Sequence, residues 1–180
     1  MIQEFQIQNF FSIRERQTLS FLPTNDDKMR SQYLYEVAEG VELLKIGIVY
    51  GSNASGKTTL LDALAFFRRT MLDKPENKNM GMGYVPFLLD NHSRKEHSSM
   101  QMIFWLNREK YVLSLEFDEK RIYEEMLMVY TSSRPTKLYS RSYQLETDHT
   151  EVTFGSKSGI NKATQRAIAG NTTNNCTVMA

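Results

Sequence analysis

The chain has 180 residues, room for one domain of ordinary size whose core needs neither disulfides nor metals. Its 22 Lys and Arg against 21 Asp and Glu leave a formal charge of +1, which excludes a global attraction to nucleic acid or to an anionic membrane and leaves only local contacts. The single cysteine, Cys176, excludes an internal disulfide, and the opening "MIQEFQIQNF" alternates polar and apolar residues as neither a signal peptide nor a membrane span does, so the chain reads as soluble and cytoplasmic.

Phe5 and Ile7 alternate with Glu4, Gln6 and Gln8, and Leu19 and Phe21 alternate with Thr18 and Ser20. This spacing predicts an antiparallel pair of half-buried strands joined through "NFFSIRER". From Pro23 to about Glu39 the chain is polar and turn-rich and reads as an exposed excursion. "KIGIVYG" then carries apolar residues on both parities, as a strand covered on both faces does. After Lys57, the recurrence of Leu60, Leu64, Phe67 and Met71 predicts an amphipathic helix. Beyond Asp73, "KPENKNMGMGYVP" reads as loop. "SMQMIFWL", "KYVLSLEF" and "RIYEEMLMVY" are separated by the turns "NREK" and "DEK", and "KLYSRSYQL" and "EVTFG" flank "ETDHT", which together describe a meander. A short helix is expected at "NKATQRAIAG", with Gly170 as its stop. The resulting organisation is a strand pair, strand and helix over 1–73, an antiparallel lobe over 84–155, and a short helix and tail over 156–180.

Between the buried strand and the helix stands "GSNASGKT", with the spacing G-x-x-x-x-G-K-[ST]. A loop of this kind wraps backbone N–H groups around phosphate oxygens while the following helix turns the positive end of its dipole toward them. The candidate phosphate cradle is Gly51, Ser52, Asn53, Ala54, Ser55, Gly56, Lys57, Thr58 and Thr59. Gly51 and Gly56 are needed where φ must be positive or a Cβ would collide. Lys57 supplies a cation for the β and γ phosphates, Thr58 is the natural Mg²⁺ ligand, and Thr59 assists at the α phosphate. The implied cofactors are ATP and Mg²⁺.

Other residues carry less. His92 and His97, in "DNHSRKEH", lack the cysteines or helical pairing of a metal site and read as loop residues. Phe66, Phe67 and the methionines from Met80 to Met82 read as packing. "FFRR" and "SRKE" read as solvated faces that would touch a nucleic-acid backbone weakly. "LSLEFDE" ends like the acidic motif of an ATPase, but Ser114 and Glu116 alternate with Leu113, Leu115 and Phe117, so Asp118 and Glu119 are expected on a hairpin turn.

A GTPase would show N-K-x-D, and "NKNM" and "NKAT" both lack the Asp. A small-molecule P-loop kinase would continue with alternating helices and parallel strands, whereas this chain continues as a meander. A third reading, an α/β P-loop ATPase head of the ABC or SMC kind, has the order found here. "IQEFQIQNFFSIRERQTLSF", "VYGSNASGKTTLLDAL", "VPFLLD" and "YVLSLEFDEKRIYEEML" resemble the AAA-family ATP-binding proteins of bacterial abortive-infection and related phage-defence systems, relatives of SMC proteins and of overcoming-lysogenisation-defect nucleases. The Asn of "GSNASGKT" is typical of that branch, and "NFFSI" is the more family-specific signal.

The resemblance implies an ATPase that pairs two heads around ATP as a homodimer and works with a nuclease or toxin partner. Many SMC-like heads place a basic residue after the Asn-Phe pair, where this chain has Phe11, with Arg14 the nearest cation. The signature motif, second acidic motif and switch histidine of that family belong to a C-terminal half, and the chain ends at "NNCTVMA" before them. It therefore reads as an N-terminal half that binds ATP without turning it over, catalytic residues being unassigned. The alternatives are a nucleotide-gated interaction module without turnover of its own and, third, a small-molecule P-loop kinase.

Overall fold

A computed structural model describes residues 1–26, 28–77, 79–132 and 134–180. Asp27, Lys78 and Ser133, of which the first two fall in stretches expected as loop, lie outside the described residues. The opening alternation forms β1 (Ile2–Gln8), which pairs antiparallel with β2 (Gln17–Ser20), Phe5 facing Leu19 across the pair. The meander forms as five strands, β5 (Ser98–Leu106), β6 (Glu109–Phe117), β7 (Ile122–Tyr130), β8 (Thr136–Gln144) and β9 (His149–Phe154). β1 also pairs with β5, so strand pair and meander make one seven-stranded antiparallel sheet in the order β2-β1-β5-β6-β7-β8-β9.

Period-two patterning decides which face of this sheet is dry. Phe5, Ile7, Met100, Leu113, Leu115, Phe117 and Ile122 point to one side and are buried. On the other side Gln6, Gln101, Ser114 and Met126 form a cross-strand row that water reaches. The dry face is covered by α2 (Lys57–Leu72), whose Ala63, Phe66, Phe67 and Met71 form its buried stripe. Phe5 meets Phe67 edge-on at 5.5 Å, and Phe66 stacks near Phe117 at 5.2 Å. Phe66 and Phe67 are thus packing residues, as is Met82, whereas Met80 is half exposed.

The excursion expected over residues 23–39 is only partly irregular. It contains one helical turn, α1 (Arg30–Tyr33), and the strand β3 (Leu34–Ala38), which pairs with β4 (Val41–Leu44) across Glu39 and Gly40. Leu34, Val37 and Leu43 are buried beneath this hairpin, a short apolar set that the polar stretch before it conceals.

The strand expected over "KIGIVY" is not formed. β4 ends at Leu44, and the backbone from Gly47 to Tyr50 has no regular structure. Ile48 is 82 % exposed and Tyr50 90 %. A strand apolar on both parities needs partners along its edges and layers over both faces. Every pairing between the described strands is antiparallel and none involves this segment, where a Cβ on Gly47 would sit 3.2 Å from the Phe21 ring.

α3 (Lys162–Asn171) begins at Asn161, whose side chain accepts from the Thr164 N–H at 2.9 Å. Gly170 lies inside this helix rather than stopping it. The Asn171 amide donates to Ala167 O and the Thr172 hydroxyl to Ile168 O, so the last turn needs no left-handed glycine to satisfy its carbonyls. Among the described residues no helix is long and apolar enough to cross a membrane.

Candidate functional site

The glycine loop lies at the N-terminus of α2, where the backbone N–H groups of the first turn lack partners within the helix. Gly56 is the N-cap and has φ +88°, a conformation a side chain would strain. Gly51 is required for space instead: a Cβ there would sit 2.8 Å from the Ser55 hydroxyl. Ala54 also takes a positive φ, +61°, so the loop turns sharply before the helix begins.

Ser52, Asn53, Ala54 and Ser55 are exposed, as is Thr58, the second residue of α2. The Lys57 ammonium folds back over the loop and donates to Gly51 O at 3.0 Å and Ser52 O at 2.6 Å. The ammonium thus lies over the loop beside the N-terminal end of α2, an arrangement that suits an anion.

Beside the loop lies a cleft of about 710 Å³ whose opposite wall is the β1–β2 connection and β2 itself, including Ser12, Thr18 and Leu19. Val49, Tyr50 and Leu60 contribute apolar surface. The cleft has room and lining for a nucleoside next to the anion site. Arg14, the cation nearest to the substituted basic position, also lines it, but its guanidinium is 3.1 Å from Asp90. The His92 N–H and the Ser93 hydroxyl on Asp90, with Arg14 adding to them, hold that carboxyl below the usual range.

The Asn-Phe pair has a structural role that its sequence alone did not disclose. Asn9 is buried, and its amide donates to Ser93 O at 2.8 Å and Glu96 O at 3.0 Å while its side-chain oxygen accepts from Phe87 N–H at 2.9 Å. One side chain thereby ties the end of β1 to the segment before β5. Phe10, fully buried, stacks on Tyr84 at 5.5 Å and meets Phe66. Two residues on, the Ser12 hydroxyl is 2.7 Å from that of Thr59, a contact no spacing rule would reveal.

The acidic pair is not among the residues that line this cleft. Asp118 closes the β6–β7 turn by accepting from Lys120 N–H at 2.7 Å and Arg121 N–H at 2.8 Å, with the Tyr123 hydroxyl on its other oxygen. Glu119 offers its carbonyl to Met82 N–H. His92 pairs with Glu96, and His97 pairs with Glu116 and stacks on Tyr123. Among the described residues no group of three or more His, Cys, Asp or Glu is placed to hold a metal ion.

Comparison with curated proteins finds no match. A family profile described as "AAA domain, putative AbiEii toxin, Type IV TA system" matches residues 47–154, more than half of the chain, from just before the glycine loop to the end of β9. A phosphate loop opening a long helix against an antiparallel sheet, together with that match, places the chain in the AAA-type P-loop ATPase family, whose domains bind nucleotide.

Proposed function

We propose that this chain is the ATP- and Mg²⁺-binding part of an SMC-like ATPase of an anti-phage defence system, coupling ATP-driven pairing of two heads to a nuclease or toxin effector. The observation that carries the nucleotide reading is the Gly56 cap at φ +88°, with Lys57 and Thr58 opening α2 beside a cleft of nucleoside size. The toxin named in the family description supports the defence reading. Joining of the N-terminal strand pair to the meander in one sheet supports an SMC-like head.

The chain's own residues fit the ligand. Lys57 would exchange the Gly51 and Ser52 carbonyls for β and γ phosphate oxygens, and the amides from Ala54 to Thr58 would wrap the β phosphate. Thr58 would hold Mg²⁺, which when bound neutralises charge on the phosphates. Ile48, Val49 and Tyr50, apolar and exposed at the mouth of the cleft, favour further polypeptide covering this side, as head pairing requires.

Placement of Asp118 and Glu119 on a hairpin turn favours a second reading in which the chain binds nucleotide as an interaction module without turnover of its own. Calorimetric titration with Mg-ATP tests the first reading, and sizing with and without ATP tests pairing. Absence of ATP binding by the wild-type chain would refute both readings.

A further inference from the structure

The turn that leads out of β1 holds an unfavourable backbone in place. Phe10 and Ile13 exchange both backbone hydrogen bonds at 2.8 Å, which closes a two-residue turn. Phe11, its first central residue, has φ +47°, and Asn9, just before the turn, has φ +54°. Glycine is the ordinary choice at the first of these positions, and a bulky aromatic is strained there. The surroundings enforce the conformation through the Asn9 side-chain bonds, the burial of Phe10 and a 3.0 Å bond from Phe11 N–H to Val85 O. Strain enforced in this way marks a place where the fold needs a side chain delivered accurately.

The delivered side chain is Ser12. Its hydroxyl is 2.7 Å from Thr59 Oγ1 and would lie 3.9 Å from a Cβ placed on Gly56, the cap of α2. Each hydroxyl has one proton and two lone pairs. One proton is used in the bond between them, and the other remains to be donated to an acceptor in the cleft. Ser12 thus offers the cleft a hydroxyl, beside Arg14, which lines the same cleft and pairs at the surface with Asp90.

We propose that Ser12 is a nucleotide-positioning residue that, paired with Thr59, donates a hydrogen bond to the α-phosphate. The assignment rests on the reading of Gly51 to Thr59 as a phosphate cradle, in which Thr59 is the residue at the α position. Because the contact is with the α-phosphate, it is made equally by ATP and ADP. Because it is a hydroxyl contact, its contribution changes little with salt, unlike that of Lys57.

The test is calorimetric titration of the full chain with Mg-ATP and Mg-ADP at two salt concentrations, for wild type, Ser12→Ala, Ser12→Thr, Thr59→Val and Lys57→Ala. Ser12→Ala is expected to weaken ATP and ADP by the same factor, about tenfold. Thr59→Val should reproduce that loss, Ser12→Thr should restore most of the affinity, and a double variant carrying Ser12→Ala and Thr59→Val should be little worse than either single one. Lys57-dependent ATP binding with Ser12→Ala within about twofold of wild type would overturn the role of Ser12 while leaving the phosphate cradle intact. A loss confined to ATP would also overturn it. If Lys57→Ala binds as well as wild type, the cradle reading fails, and Ser12 with it.

Discussion

Glu125 on β7 and Arg141 on β8 stand directly opposite each other, both about 1 % exposed, and between them they fasten the C-terminal segment to the sheet. Arg141 donates to Ile122 O at 2.7 Å, Thr173 O at 3.0 Å and Asn174 O at 2.8 Å. Glu125 accepts from the Tyr139 hydroxyl at 2.7 Å and from Val178 N–H at 2.9 Å. The segment so held is tied to the remaining structure by the Asn175 amide on Met80 O and the Thr177 hydroxyl on Thr70 O at the end of α2. Replacing Arg141 with Met would take one donor from each of three carbonyls, leaving Thr173 O and Asn174 O only the backbone N–H groups of Cys176 and Ile122, and would remove the cation opposite the buried Glu125. The expected cost is about 3 kcal/mol. Urea denaturation measures it, and limited proteolysis should show the last residues released first. A change below about 0.5 kcal/mol would show that the segment is held by other contacts.

The same pair predicts a pH dependence. Burial pushes the Glu125 carboxyl above the ordinary carboxylate range, against the opposing pull of its hydrogen bonds and of Arg141. A group whose folded pKa is raised binds its proton more tightly in the folded state. Its contribution is therefore fully present below the unfolded pKa of about 4.3 and is lost as pH rises through the folded value. The slope reaches at most about 1.4 kcal/mol per pH unit. Glu125→Gln keeps an acceptor for Tyr139 and removes the titration, so its stability curve should be flatter than wild type above the ordinary carboxylate range. Parallel curves for the two proteins would refute the assignment.

Binding of ATP should depend on Lys57, whose ammonium already lies over the loop. Lys57→Ala is expected to weaken ATP by well over tenfold, more than about 1.4 kcal/mol. Thr58→Ala should reduce mainly the magnesium-dependent part, seen by repeating the titration with EDTA. GTP should bind no more tightly than ATP, since no N-K-x-D motif is present to read guanine. A clear preference for GTP would contradict that reasoning.

Strands of the main sheet and α2 were legible because each carries a long periodic pattern that tertiary packing reinforces: Phe5 and Ile7 on β1, Leu113, Leu115 and Phe117 on β6, Phe67 and Met71 on α2. The β3–β4 hairpin was not, because its apolar residues are few and follow a polar run. The segment 46–50 misled for a different reason: its composition is that of a covered parallel strand, yet among the described residues no strand pairs with it and Ile48 and Tyr50 are exposed. At the site, the loop could be found from spacing alone. Ser12 could not, since its meeting with Thr59 depends on two left-handed residues and a packed aromatic that no periodicity reports. Arg141 did leave a trace, for in "KLYSRSYQL" it shares the parity of the buried Tyr139, but a charge at that parity also suits an exposed strand.

The acidic pair supplies the last prediction. To serve in hydrolysis, Asp118 would have to reach Mg²⁺ and Glu119 the attacking water. Instead both oxygens of Asp118 are taken up by the turn, two backbone N–H groups on one and the Tyr123 hydroxyl on the other. This tyrosine is itself pushed up to about 12, by burial first and then by the bond to Asp118, so it is a proton donor throughout the accessible pH range. Asp118→Asn should therefore act on stability, through weakened turn bonds worth about 1 kcal/mol, and leave Mg-ATP affinity unchanged. Glu119→Gln should change neither. The wild-type chain should show no steady-state ATPase activity above background in a coupled phosphate-release assay. Turnover on the order of 1 s⁻¹ or more, abolished by Glu119→Gln, would show that the turn is catalytic and that an SMC-like head is the wrong comparison for this chain.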